Sequence, residues 1–358
     1  MVKLVVHIGH GKTGSTSIQQ SLLAARPALA TQGVHYLGLM LEHAQNAPRP
    51  AWQIMSGSNQ FFDGTDPATA NAELLAVLES ELARLDRAGV ARAIWSNEWL
   101  LERSRSVLPA LCDLKRRGQA IEIQCYVRRH DKWAQSAYAQ WGLKHKSYAG
   151  PIRDFASWLP VFGDREFRFA PALAIWEAAF GTDLRVFNFD AAGDVVQHFL
   201  AANGLHDVES ITENVSPDPA ITAAQTVFNT MRRDQVLPTA FDGVQNMLRR
   251  HDQTGGAPLP PIDRLMPSAG VLHDLVRDRA ADIAQIDAML ARSGEPPLAF
   301  DSPPRQTLHP SPWEMDQLML KLIFALTAEL GGLRHQVATL QKQLADQTTP
   351  PKTDGARP

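Results

Sequence analysis

The stretch "LVVHIGHGKTGSTSIQQSLL" (residues 4–23) contains an apolar run, a glycine-rich turn and an amphipathic segment, in that order. The run from Leu4 to Ile8 is typical of a buried strand, and the spacing of apolar residues from Thr16 to Ala25 predicts a helix. A turn that opens a helix gathers unpaired backbone N–H groups at the positive end of the helix dipole. Because Lys12 adds a full charge, the stretch predicts a strand–loop–helix unit that binds a tetrahedral anion.

The same alternation of strand and helix patterns continues to about residue 205. Further strands are predicted at 33–38, 92–98, 121–129 and 184–190, with helices at 72–89, 100–118, 171–181 and 192–205. Strands that alternate with helices form a parallel sheet covered on both faces. We therefore expect a three-layer α/β fold.

The rest of the chain predicts a helical region, a linker and a coiled coil. We divide it into an α/β domain at 1–293 (core 3–215, helical extension 216–293), a proline-rich linker at 294–312, a coiled-coil helix at 313–347 and a disordered tail at 348–358. The heptad positions a and d are apolar throughout: Met319, Ile323, Leu326, Leu330, Leu333, Val337, Leu340 and Leu344. This pattern predicts a homo-oligomer, and the alternative is an amphipathic helix packed on its own domain.

Composition excludes several classes of protein. The net charge of −3 does not favour a nucleic-acid binder, and no apolar run is long enough to predict a transmembrane segment. Cys112 and Cys125 form no disulfide framework, which predicts a reducing, cytoplasmic compartment. The His and Cys residues show no metal-ligand spacing, so we expect no metal.

A second motif, "YVRRHDKWAQSAYAQW", follows the predicted fourth strand. It places Arg128 at the end of that strand and Ser136 eight residues later, in the next helix. A guanidinium fork and a hydroxyl donor together can bind a phosphate. In a parallel sheet, the ends of neighbouring strands place such groups close to the first loop.

The two motifs together resemble those of the sulfotransferases that use 3′-phosphoadenosine 5′-phosphosulfate (PAPS). The first loop in that family has the form P-K-[TAS]-G-[TS]-[TS], which "GKTGST" matches from Lys12 onward with Gly11 in place of proline. The family's second motif, R-x7-S-x-Y, matches Arg128, Ser136 and Tyr138. The resemblance covers roughly residues 3–215, and it implies a P-loop fold of the nucleoside-kinase type.

The resemblance also implies a role for each matched residue. Lys12 would contact the 5′-phosphate and the bridging oxygen of PAPS, while Gly11, Thr13, Gly14, Ser15 and Thr16 would hold the 5′ side. Arg128 and Ser136 would bind the 3′-phosphate. The acceptor would be a hydroxyl or amine of a small molecule or glycan, most simply of a carbohydrate or glycolipid, and no metal would be required.

The general base is not identified by the motifs. Heparan-type sulfotransferases place a glutamate before the second strand, where this chain has Gly33. Two candidates remain open. His43 follows the second strand and titrates in a useful range, and Glu98 ends the third strand, where bacterial relatives carry a similar glutamate.

Two other functions remain possible at this point. A P-loop small-molecule kinase would need a glycine six residues before its lysine, where this chain has Val6. A coiled-coil scaffold that binds nucleotide without turnover would use the same loop and the same C-terminal helix. A kinase would bind ATP-Mg in preference to adenosine 3′,5′-bisphosphate, so a comparison of the two affinities separates it from a sulfotransferase. A scaffold would transfer no sulfate, so an assay of sulfate transfer separates it from the enzyme.

Overall fold

The computed structural model describes most of the chain up to residue 298 and, beyond it, single residues and short runs that are helical. The described residues are 1–298 except 47, 55–57, 147, 163–167, 212–218, 231–233, 238 and 245–265, together with 312, 315, 316, 318, 319, 322, 326, 330, 332–337 and 339–341. The predicted disordered tail at 348–358 lies outside them.

A five-stranded, all-parallel sheet forms the centre of the α/β unit, as predicted. Its strands lie in the order β2-β3-β1-β4-β5. The strands are β1 (Lys3–His7), β2 (Val34–Gly38), β3 (Arg92–Ser96), β4 (Ile121–Val127) and β5 (Leu184–Asn188). Every predicted strand is present, and the bounds differ by at most a few residues.

The strand order brings the two sequence motifs together. β1 pairs with β3 on one side and with β4 on the other, in the register Val5↔Ile94 and Val6↔Ile123. The chain leaves β1 toward β2 and leaves β4 toward β5, so the direction of winding reverses between β1 and β4. Ligands of open α/β sheets bind at this reversal, outside the carboxyl ends of the strands.

Helices precede or follow every strand. They are α1 (Ser15–Ala24), α2 (Arg26–Thr31), α3 (Ser58–Gly64), α4 (Pro67–Arg87), α5 (Ser104–Arg116), α6 (His130–Ala137), α7 (Phe155–Phe162), α8 (Phe169–Phe180), α9 (Val195–Ala202), α10 (Pro219–Thr230), α11 (Ala269–Asp278) and α12 (Ala280–Arg292). Asp66 begins α4 and Asp194 begins α9, because each carboxylate accepts two backbone N–H groups of the first helical turn.

Both faces of the sheet are buried. On one face, Val5, Ile94 and Tyr126 pack with Ile18 of α1 and Phe199 of α9. The alternate strand side chains, among them Leu4, Val6, Trp95 and Ile123, are also fully buried, and α8 contacts β4 and β5. The continuous apolar strands in the sequence reflect this burial on two sides.

The described residues divide into two compact units. The first comprises the described residues of Met1–Tyr138, Phe155–Ser216 and Pro267–Gln306, and the second comprises those of Ala139–Asp154, Pro217–Met266 and Thr307–Pro358. The predicted helical extension at 216–293 is therefore shared between the units. In the first unit, α12 contacts α8 and β5.

The second unit has its own small core. Ala223, Ala224 and Phe241 pack with Met315 and Leu318. A π-helix, Tyr138–Lys144, enters the unit directly after α6. The Lys146 ammonium is buried there, where it donates to the carbonyl oxygens of Gly150 (2.6 Å) and Asn229 (3.2 Å).

The first residues of the predicted linker belong to the α/β unit. The Asn188 side-chain amide donates to the carbonyl oxygens of Pro296 (3.1 Å) and Pro297 (2.9 Å), and Leu298 is buried. Residues 299–311 of the predicted linker lie outside the described residues. No helix among the described residues is long and apolar enough to span a membrane.

The described residues between 312 and 341 are helical, in agreement with the predicted helix. Five heptad positions are each more than half exposed in the single chain: Leu326 (51%), Leu330 (54%), Leu333 (54%), Val337 (52%) and Leu340 (64%). Of the other predicted positions, Met319 is half-buried, and Ile323 and Leu344 lie outside the described residues.

Candidate functional site

Three residues in the loop between β1 and α1 have positive φ angles, a conformation that glycine adopts easily and other residues do not. Gly9 (φ 74°) and Gly14 (φ 78°) lie in the left-handed region, as does Lys12 (φ 68°). For a non-glycine residue this conformation costs roughly 1 kcal/mol. Such strain is concentrated at functional sites, where the surrounding structure enforces it.

Two glycines allow the loop to pack closely between neighbouring elements. A Cβ atom on Gly9 would overlap the Cα atom of Glu98, and one on Gly14 would lie 2.5 Å from Cγ1 of Val195. Gly14 is also the N-cap of α1, and it supplies no side chain to the free N–H groups of the first turn. The start of α1 therefore offers backbone donors to an anion.

The hydroxyl groups of the loop have different environments. The Thr13 hydroxyl is buried and donates to the carbonyl oxygen of His10, so it braces the loop from within. Ser15 is buried, and its Oγ atom has no hydrogen-bond partner among the described residues. Thr16 is exposed. A buried hydroxyl that has no partner among the described residues, at a helix N-terminus, is a donor suited to an anionic ligand.

A cluster of buried aromatic side chains packs against the loop. The His10 ring lies 4.9 Å from that of Trp133 and 4.2 Å from that of Phe169, and the Trp133 indole donates to the Gly11 carbonyl oxygen (2.6 Å). Burial lowers the pKa of His10 to about 3, so the imidazole is neutral at physiological pH. Neither His10 nor Trp133 was predicted from the sequence to be a site residue.

Asp282 of α12 connects this cluster with more distant parts of the chain. Its carboxylate accepts from His130 Nε2 (2.8 Å) and from the backbone N–H groups of Phe169 and Ala170 (3.1 Å each). The His130 ring stacks on Phe169 with 4.4 Å between centroids. These contacts fix the start of α8 against α6, which carries the second motif.

Arg128 lies directly after β4 and reaches the first loop, as predicted for the end of a neighbouring strand. Its Nη1 atom is 3.5 Å from the Lys12 carbonyl oxygen. The guanidinium also lies over the Phe189 ring, 5.0 Å from the centroid. Ser136 is partly exposed in the second turn of α6. The structure thus brings Lys12 and Arg128 into one site.

The adjacent arginine has a different role. Arg129 is buried and forms a two-point ion pair with Asp131, with distances of 2.6 Å (Nε–Oδ1) and 2.8 Å (Nη2–Oδ2). The side-chain hydrogen bond to Asp131 raises the pKa of Arg129. This neutral buried pair explains why Arg128 rather than Arg129 faces the loop.

Glu98 lies against the loop and α1. Its Oε2 atom accepts from Nε2 of Gln19 (2.5 Å), and its backbone packs on Gly9. The Asn97 side chain, immediately before it, accepts from the Trp99 N–H (3.0 Å), and this bond forms a turn after β3. Gln19 is a site residue that the sequence analysis did not single out, although it lies on the helix that the loop opens.

His43, the other candidate base, lies beside the edge strand β2. Its ring is 5.9 Å from that of Tyr36, and its backbone bonds to Leu37 and to the His35 ring. Burial, followed by the charge of Arg26, lowers the pKa of His43. Its Nε2 atom is buried and has no partner among the described residues. The contacts of His43 thus differ from those of Glu98, which packs on the loop.

The described residues contain no group of three His, Cys, Asp or Glu side chains that could hold a metal ion. Comparison of the chain with protein-family models, with curated proteins and with solved structures finds no significant match. A functional assignment therefore depends on the two motifs and on the geometry described above.

Proposed function

We propose that this protein is a PAPS-dependent sulfotransferase. The observation that carries the proposal is the contact between the two motifs, in which Arg128 Nη1 approaches the Lys12 carbonyl oxygen at the reversal of winding between β1 and β4. One nucleotide with phosphate groups at both its 5′ and its 3′ ends would engage both motifs. PAPS is such a nucleotide, and when bound it supplies the sulfuryl group.

The loop residues would bind the 5′-phosphosulfate. The backbone N–H groups at the start of α1 and the unpartnered Ser15 hydroxyl are donors for its oxygens. Lys12 would neutralise the charge that develops on the bridging oxygen as the S–O bond to the 5′-phosphate breaks. Arg128 and Ser136 would bind the 3′-phosphate.

In the transfer step, the acceptor oxygen forms a new bond to sulfur while the bond from sulfur to the bridging oxygen breaks. The acceptor proton passes to a carboxylate or imidazole, for which Glu98 and His43 are the candidates. Adenosine 3′,5′-bisphosphate leaves with the bridging oxygen. Such transfers depend mainly on positioning and on electrostatic stabilisation. By the resemblance, the acceptor is a hydroxyl or amine of a carbohydrate or glycolipid.

The first test is nucleotide binding by calorimetry. We expect adenosine 3′,5′-bisphosphate to bind at least about tenfold more tightly than 5′-AMP, because a charge-assisted hydrogen bond to the 3′-phosphate contributes roughly 1.5–3 kcal/mol. Arg128→Met and Ser136→Ala should each reduce this preference. Arg116→Met, which removes an exposed arginine from α5, is the matched control.

Equal affinity for adenosine 3′,5′-bisphosphate and 5′-AMP would contradict the proposal. Tighter binding of ATP-Mg than of the bisphosphate would favour the kinase alternative. Binding of the bisphosphate without sulfate transfer to any acceptor in a screen with labelled PAPS would favour the scaffold alternative.

We also propose that the C-terminal helix joins two copies of the chain in a coiled coil. The five exposed heptad side chains form one apolar stripe, and burial against the same stripe of a second copy would remove it from water. A homodimer is the simplest closed arrangement. Met315 and Leu318 are already buried within the chain, so the seam would begin after them.

Light scattering tests the oligomer. Leu333→Glu combined with Val337→Glu places charges in the seam, and we expect the measured mass to fall from that of a dimer to that of one chain. The matched control, His335→Glu with Thr339→Glu, adds the same charges to exposed helical positions outside the heptad stripe and should remain dimeric. A monomeric wild-type protein would show that the stripe is covered in another way.

A further inference from the structure

Two cationic side chains converge on one carboxylate oxygen beside Arg128. Oδ1 of Asp190 lies 3.5 Å from Nε of Arg128 and 3.3 Å from Nζ of Lys132. The three side chains are 18–24% exposed, so solvent and ligands can reach each of them. No role was predicted from the sequence for Lys132 or Asp190.

The position of Asp190 is fixed by its neighbours on the backbone. Asp190 follows β5, which pairs with β4 in the register Val127↔Asn188. Its N–H group donates to Oδ1 of Asn188 (3.0 Å), and its Oδ2 atom accepts from the N–H group of Arg129 (3.4 Å). The carboxylate is therefore held at the carboxyl end of the sheet, next to the end of β4.

Lys132 shares a helix face with Ser136. The two residues are four positions apart on α6, so their side chains lie above one another on the same side of the helix. Arg128 precedes α6 and approaches the same carboxylate as Lys132. An anion between Arg128 and Ser136 would therefore lie within reach of the Lys132 ammonium.

Arg128, Lys132 and Asp190 together carry a net positive charge, which suits a ligand with more negative charge than one carboxylate. Arg128 and Lys132 carry two positive charges, and Asp190 carries one negative charge. The buried pair of Arg129 and Asp131 adds no net charge. A phosphate monoester, which is a dianion near neutral pH, balances two cations better than a single carboxylate does.

We propose that Lys132 is a further binding group for the 3′-phosphate and that Asp190 competes with that phosphate for both cations. The inference rests on the proposed function, since it concerns the same nucleotide. Asp190 holds Arg128 and Lys132 in place when no nucleotide is bound, and the phosphate takes over their contacts. Asp190 thereby lowers the affinity for the nucleotide and for its bisphosphate product.

Calorimetry with adenosine 3′,5′-bisphosphate and with 5′-AMP tests the two roles on the full chain. Lys132→Met should weaken binding of the bisphosphate by about tenfold or more and leave 5′-AMP binding unchanged, since only the bisphosphate carries the 3′-phosphate. Asp190→Asn should tighten bisphosphate binding by about two- to fivefold, because the competing charge of this partly exposed carboxylate is removed.

Lys115→Met is the matched control. Lys115 also pairs with an aspartate, Asp183 (2.8 Å), but at the amino end of β5, away from the site. Its replacement should change neither affinity. Thermal unfolding of each variant shows whether the fold is retained. If Lys132→Met loses bisphosphate affinity because a positive charge is removed, Lys132→Arg, which keeps that charge, should retain part of the affinity.

The outcomes separate this inference from the proposed function. If the wild-type protein prefers the bisphosphate and Lys132→Met keeps that preference, Lys132 is not a phosphate ligand although the sulfotransferase proposal stands. If Asp190→Asn weakens bisphosphate binding, Asp190 does not compete with the phosphate. If the wild-type protein itself shows no preference, the proposed function fails and the inference fails with it.

Discussion

Replacing Lys12 by methionine is expected to lower kcat for sulfate transfer by about 10³-fold, with a much smaller effect on binding of adenosine 3′,5′-bisphosphate. The ammonium would be most strongly engaged when negative charge develops on the bridging oxygen, and this charge is greatest in the transition state. The measurement is kcat and KM for PAPS with any acceptor found in the screen. Lys115→Met again serves as the control for loss of a lysine.

The backbone at Lys12 permits a second variant that separates catalysis from folding. Because Lys12 has φ 68°, a conformation that glycine adopts without strain, Lys12→Gly should unfold at no lower temperature than the wild-type protein. It should nevertheless be as inactive as Lys12→Met. Wild-type kcat in either folded variant would exclude the leaving-group role.

The fold was predictable from the sequence because its main determinants are local. Each strand is a short apolar run followed within a few residues by a helix pattern, and burial on both faces makes these runs stand out. The short helix α2, Arg26–Thr31, was not predicted. Only Ala25 separates it from the end of α1, and Pro27 lies in its first turn, so the sequence shows no clear start of a second helix.

Contacts between distant parts of the chain could not be predicted in this way. Asp282 bonds to His130, which is 152 residues earlier, and no local pattern connects them. The return of α12 to contact α8 and β5 is likewise set by tertiary packing. For the same reason, the sequence did not reveal that Pro296 and Pro297 bond to Asn188 of β5.

The candidate site was predictable where a motif named its residues. Lys12 lies in the loop after β1, and Arg128 directly follows the neighbouring strand β4, where the sequence placed both residues. Asp190, which lies beside Arg128, was not singled out, although a simple rule points to it. Polar residues that directly follow the strands of a parallel sheet meet at one edge, and Asp190 follows β5 as Arg128 follows β4.

The choice between the two candidate bases can now be stated as an expected result. Glu98→Gln should lower kcat by about 10²–10⁴-fold, whereas His43→Ala should retain most of the activity. Glu98 contacts the loop residue Gly9 and is oriented by Gln19, while His43 packs beside β2 on Tyr36. Glutamine preserves the size of the side chain, so a loss in Glu98→Gln reports on the proton acceptor.

The pH dependence of kcat provides an independent measurement. A general base must be deprotonated to act, so activity falls as the pH drops below its pKa. Burial lowers the pKa of His43, so an enzyme that uses His43 as its base would lose activity only below the usual histidine pKa of about 6.5. This fall in activity at low pH, the acid limb of the profile, would then be absent in His43→Ala. We expect the acid limb of the wild-type profile to persist in His43→Ala.

Gln19→Met refines the same test. Loss of the amide donor should lower kcat less than Glu98→Gln does, because Gln19 positions the carboxylate and does not accept the proton. Tyr36 does not compete with Glu98 for the proton, because burial raises the pKa of its phenol, which stays protonated and cannot act as a base. If His43→Ala is inactive while Glu98→Gln is active and folded, the proton passes to His43, and the acceptor must then bind along the edge of β2 rather than over the loop.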